Sequence, residues 1–136
     1  MTPTQLKNTM IQRHTKLSST LPEREFNAYQ ESRGMGLIFD RTLPFSDNGT
    51  RYDFQCDFLR PNDESYDIDI EVDGEKFHAS VRQVQKDAWK DRIKNASGLK
   101  VVRIPAVLTQ PKWWPYLDSE FPKALLSKEK VVRIKG

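Results

Sequence analysis

Two neighbouring stretches decide the fold of this chain: YDFQCDF at residues 52–58 and YDIDIEVD at residues 66–73. Apolar and polar residues alternate in both, as in β-strands with one buried face, because successive side chains leave opposite faces of a sheet. The turn-forming residues 60–63 would join the two strands as a hairpin. Such a hairpin would place Asp57 near Glu71 on its polar face. Within the first strand, one face is expected to carry Tyr52, Phe54, Cys56 and Phe58. Within the second strand, one face is expected to carry Tyr66, Ile68, Ile70 and Val72.

Helices are predicted on both sides of this hairpin. Thr20 and Glu23 have the spacing of a capping box, with Pro22 in the first turn, so a helix should run from residue 20 to about residue 33. Residues 37–45 and 99–104 read as further strands. Between them, residues 78–96 change to a helical period. The apolar stripe of this helix, bordered by Trp89, is expected to contain Val81, Val84, Ala88 and Ile93.

The order of helix, three strands, helix and strand predicts an α/β domain with a mixed central sheet flanked by helices. Residues 1–19 read as a polar arm or weak helix, and residues 20–105 as the core. Residues 106–136 read as a C-terminal extension packed on that core, with a last strand near residues 131–134. Trp113, Trp114 and Tyr116 in this extension could insert between DNA bases, but aromatic residues among prolines favour packing against the domain.

The charge of the chain is unevenly distributed. The net charge is +3, yet residues 53–75 contain nine acidic residues and one basic residue, a net −8, which leaves +11 for the remainder. An acidic centre in a basic frame suits an enzyme that acts on phosphates through bound cations, although a solvated acidic loop has the same composition. The single cysteine, Cys56, excludes an internal disulfide and a cysteine-rich zinc site. With no apolar run that could span a bilayer and no secretory signal, the chain is expected in the cytoplasm.

The carboxylates on one strand face need a neutralising partner. Asp69, Glu71 and Asp73 would repel one another, and Asp57 would add to the repulsion. Solvent could screen them on an exposed face. The alternative is a hard cation with oxygen ligands, and Mg²⁺ commonly uses one or two carboxylates together with phosphate and water.

The succession of these motifs resembles the nuclease core of PD-(D/E)XK enzymes, and most of all the branch of very-short-patch mismatch-repair and EDxHD homing endonucleases. The matching pieces are the Asp57–Phe58 pair, IEVDG at residues 70–74 followed by His78, DAWKDR at 87–92 and GLKVVRI at 98–104. The start of the first helix, residues 20–23, is also similar. The resemblance covers residues 20–104 and implies a restriction-endonuclease-like core of αβββαβ order.

The resemblance assigns a role to each matching residue. It implies that Asp57 and Glu71 bind the catalytic metal, Mg²⁺ or Mn²⁺ in its place. It implies that Glu23 supports the metal-bound water and that His78 activates water or protonates the leaving group. Asp87 would orient His78. Glu23 could equally serve only as the helix cap, and Asp87 and Asp91 could simply pair with nearby lysines along the helix.

One position departs from the family pattern. Asp73 stands where the pattern has a lysine, so a lysine cannot activate water from there. His78 is then the better acid or base. Lys76 is an alternative, but a regular strand would point it away from Glu71.

The implied activity is metal-dependent hydrolysis of DNA phosphodiester bonds, in a bacterial cytosol or a phage-infected cell. The basic helix residues could contact DNA phosphates or form a solvated face: Arg82, Lys86, Lys90 and Lys94. Specificity would come from the terminal segments, a second copy in a homodimer or a partner protein. Two other readings stay open: a non-catalytic nucleic-acid-binding or assembly module on a nuclease fold, and a nuclease directed at RNA.

Overall fold

A five-stranded mixed sheet forms the centre of the protein, which a computed structural model describes for residues 19–74 and 80–136. Strand order follows chain order, with β1, β2 and β3 antiparallel and β3, β4 and β5 parallel. The α/β class and the mixed sheet with flanking helices are therefore confirmed. Apart from Ser19, the arm predicted for residues 1–19 lies outside the described residues.

In chain order the elements are α1 (Leu21–Ser32), β1 (Ile38–Asp47), β2 (Thr50–Asn62), β3 (Ser65–Asp73), α2 (Val81–Ala96), β4 (Lys100–Pro105), two 3-10 turns (Ala106–Thr109 and Pro111–Trp113), α3 (Trp114–Leu126) and β5 (Val131–Arg133).

The first helix begins at the predicted capping box. Thr20 Oγ1 accepts a hydrogen bond from the Glu23 backbone N–H at 3.3 Å. In return, Glu23 Oε1 accepts from the Thr20 N–H at 3.0 Å. These two bonds satisfy backbone donors that a helix start otherwise leaves unpaired. The helix ends at Ser32, before Gly34 with its φ of 63°.

Each face of the sheet is covered by helices. On one face, α1 and α3 pack over Phe58, Ile68, Ile70 and Val102. On the other face, α2 packs over a smaller apolar cluster, which contains Phe45, Phe54, Cys56, Leu59, Ile93 and Leu99. The carboxylate site lies on this second face, beside that cluster.

The predicted distribution of side chains over the two faces is wrong for Phe58 and Tyr66. Phe58 packs edge-on against Phe26 at 4.7 Å, on the face opposite Cys56, because the alternation slips by one residue between Cys56 and Leu59. This slip lies opposite Asp40, whose φ of 58° distorts β1.

A second irregularity accounts for Tyr66, which packs with the smaller cluster. The pairing of β2 with β3 shifts register between Arg60 and Pro61. Pro61 lacks an N–H for the ladder and is tolerated at such a bulge. The turn predicted at residues 60–63 is displaced as a result, because β2 continues to Asn62 and Asp63 adopts a φ of 51°.

The predicted apolar stripe of α2 is wrong for three of its four members. Val81 and Val84 are 73% and 51% exposed, Ala88 is exposed as well, and Ile93 is buried. Polar residues at helical spacing turn towards the sheet instead: Gln83, Asp87, Lys90, Asp91 and Lys94. The physical reason is the sheet itself, because its carboxylates require charged and hydrogen-bonding partners.

The C-terminal aromatic residues pack on the domain. The Trp114 ring meets Tyr29 edge-on at 5.6 Å, and its Nε1–H donates to the Thr109 carbonyl at 2.9 Å. The Tyr116 hydroxyl donates to the backbone carbonyl of Lys135. Trp114 and Tyr116 pack against the larger apolar cluster, whereas Trp113 is 39% exposed.

Candidate active site

A polar cleft of about 230 Å³ lies where β2 and β3 meet α2. Its walls carry acidic and basic side chains: Asp57, Glu71, Asp73, Asp87, Lys90 and Lys94. Within residues 19–74 and 80–136, no group of three or more His, Cys, Asp or Glu side chains is arranged to hold a metal ion. None of the helices in these two ranges is long and apolar enough to cross a membrane.

Asp57 and Glu71 lie side by side at the base of the cleft. The pairing of Phe58 with Ile70 sets their strands in this register. Asp57 Oδ2 accepts the backbone N–H of Val72 at 3.0 Å, which holds its carboxyl group in place. The structure therefore brings together the two acids that the alternating pattern placed on one face.

The two carboxyl groups titrate as a pair. Burial, the negative charge of Glu71 and a hydrogen bond with it raise the pKa of Asp57 well above its ordinary value. Burial alone would also raise the pKa of Glu71, but hydrogen bonding to Asp57 and the charge of Lys94 lower it to about 2. The two pKa values move in opposite directions, so Glu71 is the more acidic member of the pair.

Lys94 supplies the positive charge of the site. Its ammonium nitrogen lies 2.8 Å from Glu71 Oε1 and 2.7 Å from Asp69 Oδ2, and the side chain is 2% exposed. Burial alone would lower the pKa of Lys94, but the two carboxylates raise it, so the ammonium stays charged. The prediction that Lys94 belongs to an outward basic face is therefore wrong, because its helical position turns it towards the sheet.

Asp69 is fully buried behind this ion pair. The sequence placed it on the polar face as a flanking residue, but its side chain is 0% exposed. Its Oδ2 binds Lys94, while Oδ1 has no hydrogen-bond partner in the described part of the chain. Burial and the charge of Glu71 raise the pKa of Asp69, and the ammonium of Lys94 opposes them. The contact with Asp69 therefore holds the Lys94 ammonium in position beside Glu71.

A second ion-pair network borders the cleft. Arg103 donates to Asp91 through Nε at 2.9 Å and Nη2 at 2.7 Å, and to Asp73 Oδ1 through Nη1 at 2.6 Å. Asp91 therefore pairs with the sheet and not with a lysine of its own helix. Burial raises the pKa of Asp73, and the guanidinium of Arg103 opposes that rise. A planar guanidinium group can bind two carboxylates in this way. Because Arg103 is on β4, Asp91 on α2 and Asp73 on β3, these bonds hold α2 against the two strands.

The other predicted site residues fall in three places. Asp87 lines the cleft and accepts from Gln83 Nε2 at 3.0 Å. Glu23 caps α1, and its negative charge adds to the burial and the charge of Glu71 that raise the pKa of Asp57. His78 and Lys76 lie outside the described residues.

The basic residues predicted on α2 separate into three groups. Arg82 and Lys86 are exposed. Lys90 is half-buried at the cleft wall, with its ammonium 5.7 Å from the centre of the Phe54 ring. Lys94 is buried, as described above.

Asp57 and Glu71 are the residues at the base of the cleft that could hold a magnesium ion. Asp57 and Glu71 offer carboxylate oxygens from neighbouring strands, which are the ligands that Mg²⁺ prefers. Asp57 uses Oδ2 and Glu71 uses Oε1 in the bonds above, so Asp57 Oδ1 and Glu71 Oε2 accept no N–H from the described residues. A cation held between the two carboxylates would offset the repulsion between them.

Sequence reasoning missed the roles of Lys94, Asp69, Arg103 and Asp91. A signal for Lys94 was present, since Gln83, Asp87, Lys90 and Lys94 share one helical face. Comparison of the chain with protein-family models, with curated proteins and with solved structures gave no match.

Proposed function

We propose that this protein is a metal-dependent endonuclease that hydrolyses phosphodiester bonds in DNA, built on a restriction-endonuclease-like core. The observation that carries the proposal is the adjacency of Asp57 and Glu71, with the Lys94 ammonium 2.8 Å from Glu71, in an open polar cleft. A clustered set of groups with shifted pKa values in a cleft is typical of active sites.

The element order supports the same proposal. The run α1, β1, β2, β3, α2 and β4 has the αβββαβ order that the motif resemblance implies. The two acids come from the second and third strands of that run, where the resemblance places the metal ligands. Fold order alone never fixes a reaction, so the weight rests on the side chains in the cleft.

Each side chain has a specific task in the proposed reaction. Asp57 and Glu71 would hold a divalent ion, which when bound activates both water and the phosphoryl group. Lys94 stabilises the negative charge that develops on the phosphoryl oxygens, because its ammonium is fixed and shielded from water. Lys94 thereby takes the place of the lysine that Asp73 replaces in the family pattern. As a permanent cation it cannot accept a proton, so we assign proton transfer to His78, with Asp87 in support.

A plasmid assay tests the proposal directly. Supercoiled plasmid is incubated with the wild-type protein and Mg²⁺, with the protein and EDTA, and with Glu71→Gln protein and Mg²⁺. Glutamine keeps an oxygen for the Lys94 ammonium but removes the charge that the metal requires. We expect cleavage only in the first reaction. Asp53→Asn is the matched control, because Asp53 is an exposed carboxylate on β2 whose ion pair is with Arg51.

Each other outcome selects a different conclusion. Equal cleavage by Glu71→Gln protein would overturn the assignment of the site. Binding without cleavage of plasmid, mismatched and branched DNA would identify a binding module. Cleavage of RNA in preference to DNA would change the substrate and leave the site intact.

A further inference from the structure

A row of side chains crosses the sheet from the proposed metal site. Glu71 on β3 pairs with Arg103 on β4, and Arg103 pairs with Arg133 on β5. Residues paired in register on neighbouring strands leave the same face of a sheet. Arg133 therefore lies on the face of the cleft, two strand spacings or roughly 10 Å from Glu71.

The two arginines of this row differ in what they can bind. Arg103 is 7% exposed, and its donors bind Asp73 and Asp91. Arg133 is 54% exposed, and within residues 19–74 and 80–136 its guanidinium makes one long contact, 3.7 Å from Nη1 to Asp73 Oδ2. A single exposed contact of this length contributes little to stability. Most donors of Arg133 are therefore available to an anion.

Lys135 adds a second cation on the same side. Ile134 between them is buried in the core, and its N–H donates to the Arg103 carbonyl at 2.9 Å. Since alternate residues of an extended chain point to opposite sides, Arg133 and Lys135 both point away from that core. The hydrogen bond from Tyr116 to the Lys135 carbonyl fixes the backbone here.

A second cleft, of about 340 Å³, joins this pair to the active site. It shares Asp73 and Arg103 with the first cleft, and Arg133 and Lys135 line its outer part. Arg103 already neutralises Asp73 on one side, so the outer part of this cleft carries an excess of positive charge. Such a place attracts a phosphate.

We propose that Arg133 and Lys135 form a phosphate-binding subsite that holds a backbone phosphate next to the one at Asp57 and Glu71, on the same nucleic-acid strand. The subsite rests on the proposed function. It adds that the substrate is a polynucleotide spanning two sites, and that it leaves the cleft over the end of β5.

The test measures binding and cleavage separately. Binding of a fluorescent oligonucleotide duplex is followed by anisotropy in EDTA over a range of salt concentrations, for wild-type and R133Q/K135Q proteins. Losing two phosphate contacts should make the slope of log affinity against log salt shallower by roughly 1.8. In plasmid cleavage with Mg²⁺, the same variant should raise KM and leave kcat near the wild-type value.

Lys128→Gln/Lys130→Gln is the matched control. It removes the same charge beside the same strand, but at the opposite end of the sheet, where both lysines are exposed. Its salt slope should equal that of the wild type. Arg133→Lys, which keeps the charge, should retain most of the affinity. Lys135→Gln alone should give about half the change in slope if the double variant does not fold.

Failure of the subsite and failure of the nuclease proposal look different. A wild-type slope in both R133Q/K135Q and K135Q proteins, with normal cleavage by the wild type, overturns the subsite alone. A shallower slope in a protein that never cleaves overturns the nuclease activity and supports the subsite. If the Lys128→Gln/Lys130→Gln protein showed the same reduction in salt slope as R133Q/K135Q protein, the effect would be one of general charge, and the subsite would be overturned.

Discussion

Replacing Lys94 by methionine would remove the ammonium group that lies between the carboxylates of Asp69 and Glu71. The ammonium lies 2.7 Å from Asp69 and 2.8 Å from Glu71, whose side chains are 0% and 12% exposed. Methionine fills a similar volume but leaves both charges without a counterion. Breaking a buried ion pair in this way costs about 3 to 5 kcal/mol. For a domain of this size we expect the melting temperature to fall by roughly 10 to 20 °C.

The loss of stability in the Lys94→Met protein should increase as the pH rises. Without the ammonium, burial and mutual repulsion raise the pKa of the carboxyl groups in the folded protein above their unfolded value near 4. The folded state then binds more protons than the unfolded state, so stability falls as pH rises through that interval. The variant should be closest to the wild type at about pH 4, and Mg²⁺ should recover part of its stability at pH 8.

Thermal and urea unfolding at pH 4 and pH 8, with EDTA or Mg²⁺, measure these effects. Lys86→Met is the matched control, since Lys86 is an exposed lysine on the same helix and its loss should change stability by less than about 0.5 kcal/mol. Adding Asp69→Asn to Lys94→Met should restore part of the stability, because one unpaired charge is removed. A Lys94→Met protein as stable as the Lys86 variant at pH 8 would refute the buried ion pair.

Two further predictions concern Asp57 and the first helix. Asp57→Asn should be more stable than the wild type at pH 8 in EDTA, because the raised pKa of Asp57 makes its contribution to stability present at low pH and lost as pH rises. Thermal melts should show this gain shrinking towards pH 4, and a gain that is independent of pH would contradict it. Thr20→Ala should lower the free energy of unfolding by about 1 kcal/mol, because it removes the cap of α1. Thr20→Ser should retain stability in the same urea titration, and equal stability of the alanine and serine variants would argue against the cap.

The sheet and the first helix could be predicted because their signals are local. The alternation of apolar and polar residues with period two predicts β2 and β3, and the Thr20–Glu23 spacing predicts the start of α1. The slip that moves Phe58 to the other face could not be predicted, since it accompanies the left-handed backbone at Asp40 on a different strand. Local patterns carry no information about such a distortion.

The face of α2 was predicted wrongly for a different reason. The usual rule assigns apolar residues to the interior, and Val81 and Val84 fitted it. A helix is oriented by the surface that receives it, and here that surface carries Asp69, Glu71 and Asp73. Electrostatic pairing with Lys94 therefore outweighed the burial of two valines. The sequence did contain one relevant signal, because a row of acidic residues on β3 requires positively charged partners from other parts of the chain.

Alkylation of the buried Cys56 can report whether α2 is docked on the sheet. Cys56 is 0% exposed and packs in the cluster beneath α2, together with Ile93 and Leu99. Burial and the nearby charge of Asp69 raise the pKa of its thiol, so the native protein should resist alkylation. Reaction with iodoacetamide would then require α2 to lift from the sheet, and its rate would report the frequency of that opening without any introduced label.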